Sequence, residues 1–149
     1  MLDDGTGLIE VSIFPEIYER CRNLLGEDSI VVITGQLRWD AFIDGWRLAA
    51  RDVLDIDRVI EKEARKLVIR WISGPESRVD AGKLRQALEP FRPGACGILV
   101  SYSRSDAQAR IELGQDWAVR PSRELRERLS ELVGQDGYRF VYDTASVLH

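Results

Sequence analysis

The chain has 149 residues, 44% of them hydrophobic and 31% charged, with a formal net charge of −4. That length allows one domain or two small ones, and the composition is that of an ordinary globular chain. No run approaches the ~18 apolar residues of a membrane helix, the start carries no secretion signal, and the acidic balance argues against a protein built for avid, non-specific DNA binding.

Two cysteines, Cys21 and Cys96, lie far apart in the sequence, and the single histidine is the last residue, His149. The cysteines read as small buried apolar residues in a reducing cytoplasm, not as a disulfide or a metal site. No phosphate loop, Cys/His zinc spacing or Ser–His pair occurs, so the expectation is a chain without catalysis, metal or cofactor of its own. Charge is unevenly shared. Residues 1–66 hold 9 Lys/Arg against 14 Asp/Glu, net −5, and residues 67–149 hold 12 against 11, net +1.

Residues 1–7 (M-L-D-D-G-T-G) form a turn-rich opening in which Asp3 and Asp4 serve the turn. Residues 8–14 alternate Ile9, Val11 and Ile13 with Glu10 and Ser12, the pattern of a half-buried strand. Pro15 starts a helix expected to run to Leu25 and to stop at Gly26. Residues 30–39 and 46–53 then read as two strands joined by a hairpin whose tip is Asp44-Gly45, with Gly45 expected to supply the positive φ. Gly35 inside the first arm marks a bulge or a close backbone approach.

Strand, helix, strand, hairpin, strand is the later part of an OB-fold, and the hairpin is one of that fold's binding loops. A complete barrel needs two strands ahead of Leu8, which seven residues cannot supply. The expectation is an N-terminally truncated OB barrel over 1–60, with an open edge where strand exchange with another chain could occur. Around the hairpin tip lie Trp39, Phe42 and Trp46, with Arg38 and Arg47 beside them. Aromatic faces next to guanidinium groups are what single-stranded nucleic acid requires, stacking platforms with positive charge for the phosphates. Those five residues are the candidate nucleic-acid site, with Arg47 as a phosphate contact and binding weak and salt-sensitive. The alternative for the aromatics is structural: they close the end of the barrel.

A charged connector follows, with a linker expected at 61–66. Residues 67–72 read as a strand and Asp80 caps a helix that ends at Pro90. Residues 96–102 and 109–113 are two more strands. Ser122 caps the helix Arg123–Val133, which Gly134 ends, and Tyr138–Tyr142 is the last strand. The order β-α-β-β-α-β over 67–149 is that of a small ferredoxin-like domain. RNA-binding domains of that order carry aromatics on their central strands; the third strand here, R-I-E-L, has none. This half therefore reads as a protein-docking module, with Trp117, Arg120 and Arg126 as the expected patch, since Arg and Trp dominate interface hot spots. The alternative is that Trp117 plugs the domain core.

Several stretches carry a resemblance along nearly the whole chain: Leu2-Asp3-Asp4 with Gly7, Glu10-Val11 and Phe14; Gly35 with Gly45, Ala50 and Asp55-Ile56; then Glu63-Ala64-Arg65. Leu84-Arg85-Gln86, Pro90, the strand from Arg110 to Gly114 with Trp117, and Pro121-Ser122 continue it. In order and spacing they resemble the C-terminal region of the α subunit of bacterial DNA polymerase III. The resemblance implies a non-catalytic module, since that family's polymerase acids lie far upstream. It implies an OB domain near the template strand and a following segment that docks the clamp-loader subunit τ. Some members end in a clamp-binding peptide that begins with Gln, whereas the matching stretch here begins with Gly137, a departure that counts against sliding-clamp binding by this tail. Another reading is an OB module of a different system, such as a tRNA anticodon-binding domain. The compact second half sets the two apart.

Overall fold

The computed structural model describes residues 1–143 and is a mixed α/β structure of two compact units, Met1–Val59 and a second that begins at Ile60. Each unit contains one four-stranded sheet.

In the first unit, β1 (Leu2–Asp3), β2 (Leu8–Ser12), β3 (Val31–Asp40) and β4 (Gly45–Asp55) form a sheet in the order β1-β2-β4-β3. β2 and β4 run parallel, and the other pairs are antiparallel. The opening that reads as turn alone holds a short strand as well, because Leu2 and Asp3 pair with Ile9 and Leu8. The two aspartates tie the turn that makes this possible: Asp3 Oδ1 accepts from the Gly5 amide at 2.8 Å, and Asp4 Oδ1 accepts from the Thr6 amide at 2.9 Å and the Gly7 amide at 3.1 Å. A 2.6 Å bond from the Thr6 hydroxyl to the same oxygen, with the Thr6 and Gly7 amides, holds the Asp4 carboxyl below its ordinary range.

The helix α1 (Pro15–Cys21) is shorter than its sequence pattern, since the chain tightens into a 3-10 turn at Arg22–Leu24. α1 packs on β4, and Cys21, Ala50 and Val53 are the buried side chains there. Ala50 and Val53 lie three positions apart, yet they share a face. The register steps from Thr34↔Asp52 to Gly35↔Ala50, so Arg51 is the extra residue of a bulge and the inward phase is kept on both sides of it. Gly35 is required there, because a Cβ on it would run into the Ala49 carbonyl.

β4 leads directly into α2 (Ile56–Glu63), and the division between the units falls inside that helix. The stretch 61–66 is the end of α2 and the start of β5 (Ala64–Ile72). The second unit continues with α3 (Ala81–Leu88), β6 (Gly97–Arg104), β7 (Ala107–Glu112), α4 (Arg123–Val133) and β8 (Tyr138–Tyr142). The caps are those the sequence announces: Asp80 accepts from the Lys83 amide at 2.8 Å and Ser122 from the Leu125 amide at 3.3 Å.

The element order is β-α-β-β-α-β, but the sheet order β7-β6-β5-β8 corrects the ferredoxin-like expectation. A split βαβ unit needs another strand between the two that its first helix connects. Here β5 and β6 are direct, parallel neighbours through Lys66↔Gly97 to Ile72↔Ser103. β7 folds back on β6 by a tight turn at Ser105-Asp106, which confines it to the outer edge, and β8 takes the free side of β5. Leu67, Ile69, Ile98 and Val100 alternate onto the sheet face that meets Leu84 and Leu88 of α3 and Leu125 and Leu129 of α4, and all eight are buried. Among the described residues no helix is long and apolar enough to cross a membrane.

Candidate nucleic-acid and partner interfaces

The β3–β4 hairpin positions the five residues singled out for nucleic acid, and it divides them. Its loop is Ala41–Asp44 in extent, four residues, and the left-handed residue is Asp44 (φ 49). Gly45 instead opens β4 in ordinary strand geometry, which corrects the expected turn. Asp tolerates the left-handed region better than most side chains, and Asp40 Oδ1 accepts from the Phe42 amide at 2.9 Å to hold the bend.

Trp39 pairs across the hairpin with Trp46, their rings edge to face with centroids 5.5 Å apart. Arg38 pairs with Arg47 on the opposite face. Tryptophans and arginines are therefore on different sides of the ribbon. Phe42 at the tip is fully exposed, and Trp39 and Trp46 are 55% and 57% exposed. With Leu37 they continue the inward face of the sheet beyond the part that α1 covers.

Arg47 is not poised for a phosphate. Its Nη2 is 2.6 Å from Glu10 Oε1 and its Nη1 2.6 Å from Asp40 Oδ2. Glu10 is brought there by the parallel pairing Glu10↔Arg47, which the sequence alone does not announce. Arg38 has a 3.5 Å bond to Gln36 as its side-chain contact and is exposed.

The three residues singled out for partner docking are also separated. Trp117 ends a 3-10 turn (Gln115–Trp117), with the Arg92 guanidinium 4.1 Å and that of Arg85 6.0 Å from its ring centroid. It lines an apolar cleft of about 220 Å³ together with Trp71, Leu84 and Ile111. Arg120 lines a different groove, beside Phe91 and Pro121. Arg126 on α4 interacts electrostatically with Tyr142, whose hydroxyl pKa burial pushes up. Tyr142 pairs with Ala64 at the far end of β5 from Trp71, so Trp117 and Arg126 attend opposite ends of that strand.

Trp71 is the residue that sequence reading passed over. Its ring meets Tyr102 edge to face at 5.0 Å, and its Nε1 is buried without a hydrogen-bond partner. The signal was available: Trp71 is in phase with Leu67 and Ile69 along L-V-I-R-W-I. Of the stretch 137–142 compared with a clamp-binding tail, Tyr138–Tyr142 pairs with β5 as β8, and Gly137 before it ends a 3-10 turn and is buried. Residues 144–149 lie outside the described residues. Among the described residues no three His, Cys, Asp or Glu side chains come together as a metal-binding group.

Residues 83–134 match the family model described as DNA polymerase III subunit alpha, C-terminal domain. The chain is 37% identical to the DNA polymerase III subunit alpha of Escherichia coli K12 over 142 residues, 95% of this chain and 12% of that protein. It is 37% identical to the subunit of Vibrio cholerae over 91% of this chain and 12% of that protein. For the subunit of Pseudomonas aeruginosa the identity is 31%, over 91% of this chain and 11% of that protein. The chain thus spans about one eighth of the length of the curated relatives it matches.

Proposed function

We propose that this chain, similar along 95% of its length to the DNA polymerase III subunit alpha of Escherichia coli and matched at residues 83–134 by that subunit's C-terminal domain model, is a non-catalytic module of the replicative polymerase. Its first unit touches single-stranded DNA at the hairpin tip, and its second docks the clamp-loader subunit τ. The observation that carries the DNA half is the group Trp39, Phe42 and Trp46, three large aromatics left in solvent at the end of one hairpin. Exposed aromatic clusters mark interaction surfaces, and bases stack on such faces without regard to sequence.

The strand order β1-β2-β4-β3, with β2 and β4 parallel, is that of strands two, three, five and four of an OB barrel. A groove of about 650 Å³ lined by Leu2 of β1, Val31 and Ile33 of β3, and Val11 and Ile13 supports that reading, since it offers room for a further strand. For docking, the cleft between Trp71 and Trp117 offers an apolar seat with Arg85 at its rim. Arg120 and Arg126 lie on other surfaces of the same unit.

Fluorescence anisotropy with a single-stranded 20-mer tests the first half. Phe42→Ala with Trp46→Ala is expected to weaken binding by about 1–3 kcal/mol per lost stack, and unchanged affinity would remove the hairpin from the account. Pull-down of τ by the full chain tests the second. Trp117→Ala or Arg126→Glu should lose τ at unchanged folding, and retention by both would place τ elsewhere.

A further inference from the structure

The sheet of the second unit has two chemically different faces. The face away from α3 and α4 carries Arg70 on β5, Ser101 on β6 and Arg110 on β7 in one cross-strand row, since Arg70 pairs with Ser101 and Ser101 with Arg110. Arg139 on β8 pairs with Val68, which puts it on the same face and diagonal to Arg70. With strands ~4.8 Å apart, the two ends of the Arg70–Arg110 row lie ~10 Å from each other.

All three arginines are exposed. Arg70 donates from Nη2 to the Asp136 carbonyl at 2.6 Å, which steadies its guanidinium beside a groove it shares with Arg139. Among the described residues neither Arg110 nor Arg139 forms an ion pair. On the strands of this face, the acidic side chain is Glu112, and Lys66 binds it at 2.5 Å. That bond, with the charge of Lys66 and then that of Arg110, holds the Glu112 carboxyl below its ordinary range. The face is cationic in a chain whose net charge is −4.

We propose that this face holds the sugar-phosphate backbone of duplex DNA. It carries three exposed arginines on adjoining strands, Arg70 and Arg110 two strands apart and Arg139 diagonal to Arg70, as a polyanion's backbone requires, and it bears no aromatic side chain. A surface without stacking platforms has nothing to offer unpaired bases, whereas a duplex presents phosphates outward and hides its bases. The hairpin tip and this face thus address two states of the same polymer. The choice of DNA as the anion rests on the replication reading above; the charge pattern does not.

The test is anisotropy with a 20-base-pair duplex and with a single-stranded 20-mer from 25 to 150 mM NaCl, on the full chain. Arg110→Ser with Arg139→Ser should weaken duplex binding tenfold or more at 25 mM and lower the salt slope by ~1.8, at ~0.9 per lost phosphate contact. Arg20→Ser with Arg78→Ser removes the same charge elsewhere and should leave both readings in place. An equal loss in that control, or no duplex binding by the parent chain at 25 mM, overturns the inference. So does an oligoglutamate peptide that binds as tightly as the duplex and is lost in the same variant, which would reassign the face to an acidic protein. The hairpin variant Phe42→Ala/Trp46→Ala separates the two readings. If it spares single-strand binding, the hairpin assignment fails and this one stands. If it abolishes single-strand binding while the arginine pair leaves the duplex untouched, the reverse holds.

Discussion

Trp39 and Trp46 face each other across the β3–β4 hairpin, ring edge against ring face, yet each keeps more than half of its surface in solvent. The pair braces the ribbon and presents a platform at once, whereas Phe42 beside it presents its whole ring and braces nothing. Stability and binding should therefore come apart in the two variants.

Phe42→Ala is expected to leave thermal stability within ~0.5 kcal/mol of the parent, as for surface positions without contacts. Trp46→Ala should cost ~1 kcal/mol through the lost aromatic pair. Thermal melts of the two single variants decide this, and equal losses would contradict the geometry.

The two hairpin arginines are expected to differ as sharply. Arg47 is held by Glu10 and Asp40, so Arg47→Ala should cost ~1 kcal/mol of stability and leave the salt slope of single-strand binding nearly unchanged. Arg38 has a single long bond to Gln36, and Arg38→Ala should lower that slope by ~0.7 with little effect on folding. Binding isotherms at four salt concentrations give both slopes, and the opposite ranking would show that Arg47 leaves its carboxylates to bind DNA.

Gly35→Ala tests the bulge. The added methyl would overlap the Ala49 carbonyl, backbone against backbone, so no side chain can turn aside. A loss of ~3 kcal/mol is expected, at the upper end of overpacking. Gly114→Ala, where nothing lies near the added carbon, serves as the control. Urea denaturation of the two variants measures the difference.

Burial pushes the Cys96 thiol up from an ordinary 9.0 to about 11. A raised folded pKa means that the native state holds this proton more tightly than the unfolded chain. Its contribution is complete below about pH 9 and is lost as pH rises through about 11. Across that window stability should fall by up to ~1.4 kcal/mol per pH unit. Urea melts at pH 8, 9 and 10 read the slope. At pH 8 the folded chain should resist iodoacetamide at both Cys21 and Cys96, which are buried, and react once unfolded.

Local chemistry made most of this architecture legible. Asp80, Ser122 and Gly134 mark helix ends by the bonds their own side chains and backbone make, and Gly35 marks a bulge by what it lacks. The residues that misled are those whose role depends on a distant partner. Arg47 reads as free until the parallel β2–β4 pairing sets Glu10 beside it. The Ser105-Asp106 turn is visible in sequence, but that it leaves β6 against β5 is a matter of sheet order. Trp117, Arg120 and Arg126 are near in sequence and attend three surfaces, because a turn and a helix carry them apart.

The antiparallel pairing of β5 with β8 has a consequence during synthesis. β5 is the first strand of its sheet to be made, and one of its two edges waits for the last, about 65 residues later. At ribosomal speeds that interval is roughly 3–13 s. Throughout it the apolar strand L-V-I-R-W-I can gain β6 by the crossover through α3 but keeps an unsatisfied flank, open to the edge strand of any nascent neighbour. The nascent unit is thus most exposed to mispairing between chains in the seconds before Tyr138–Tyr142 emerges.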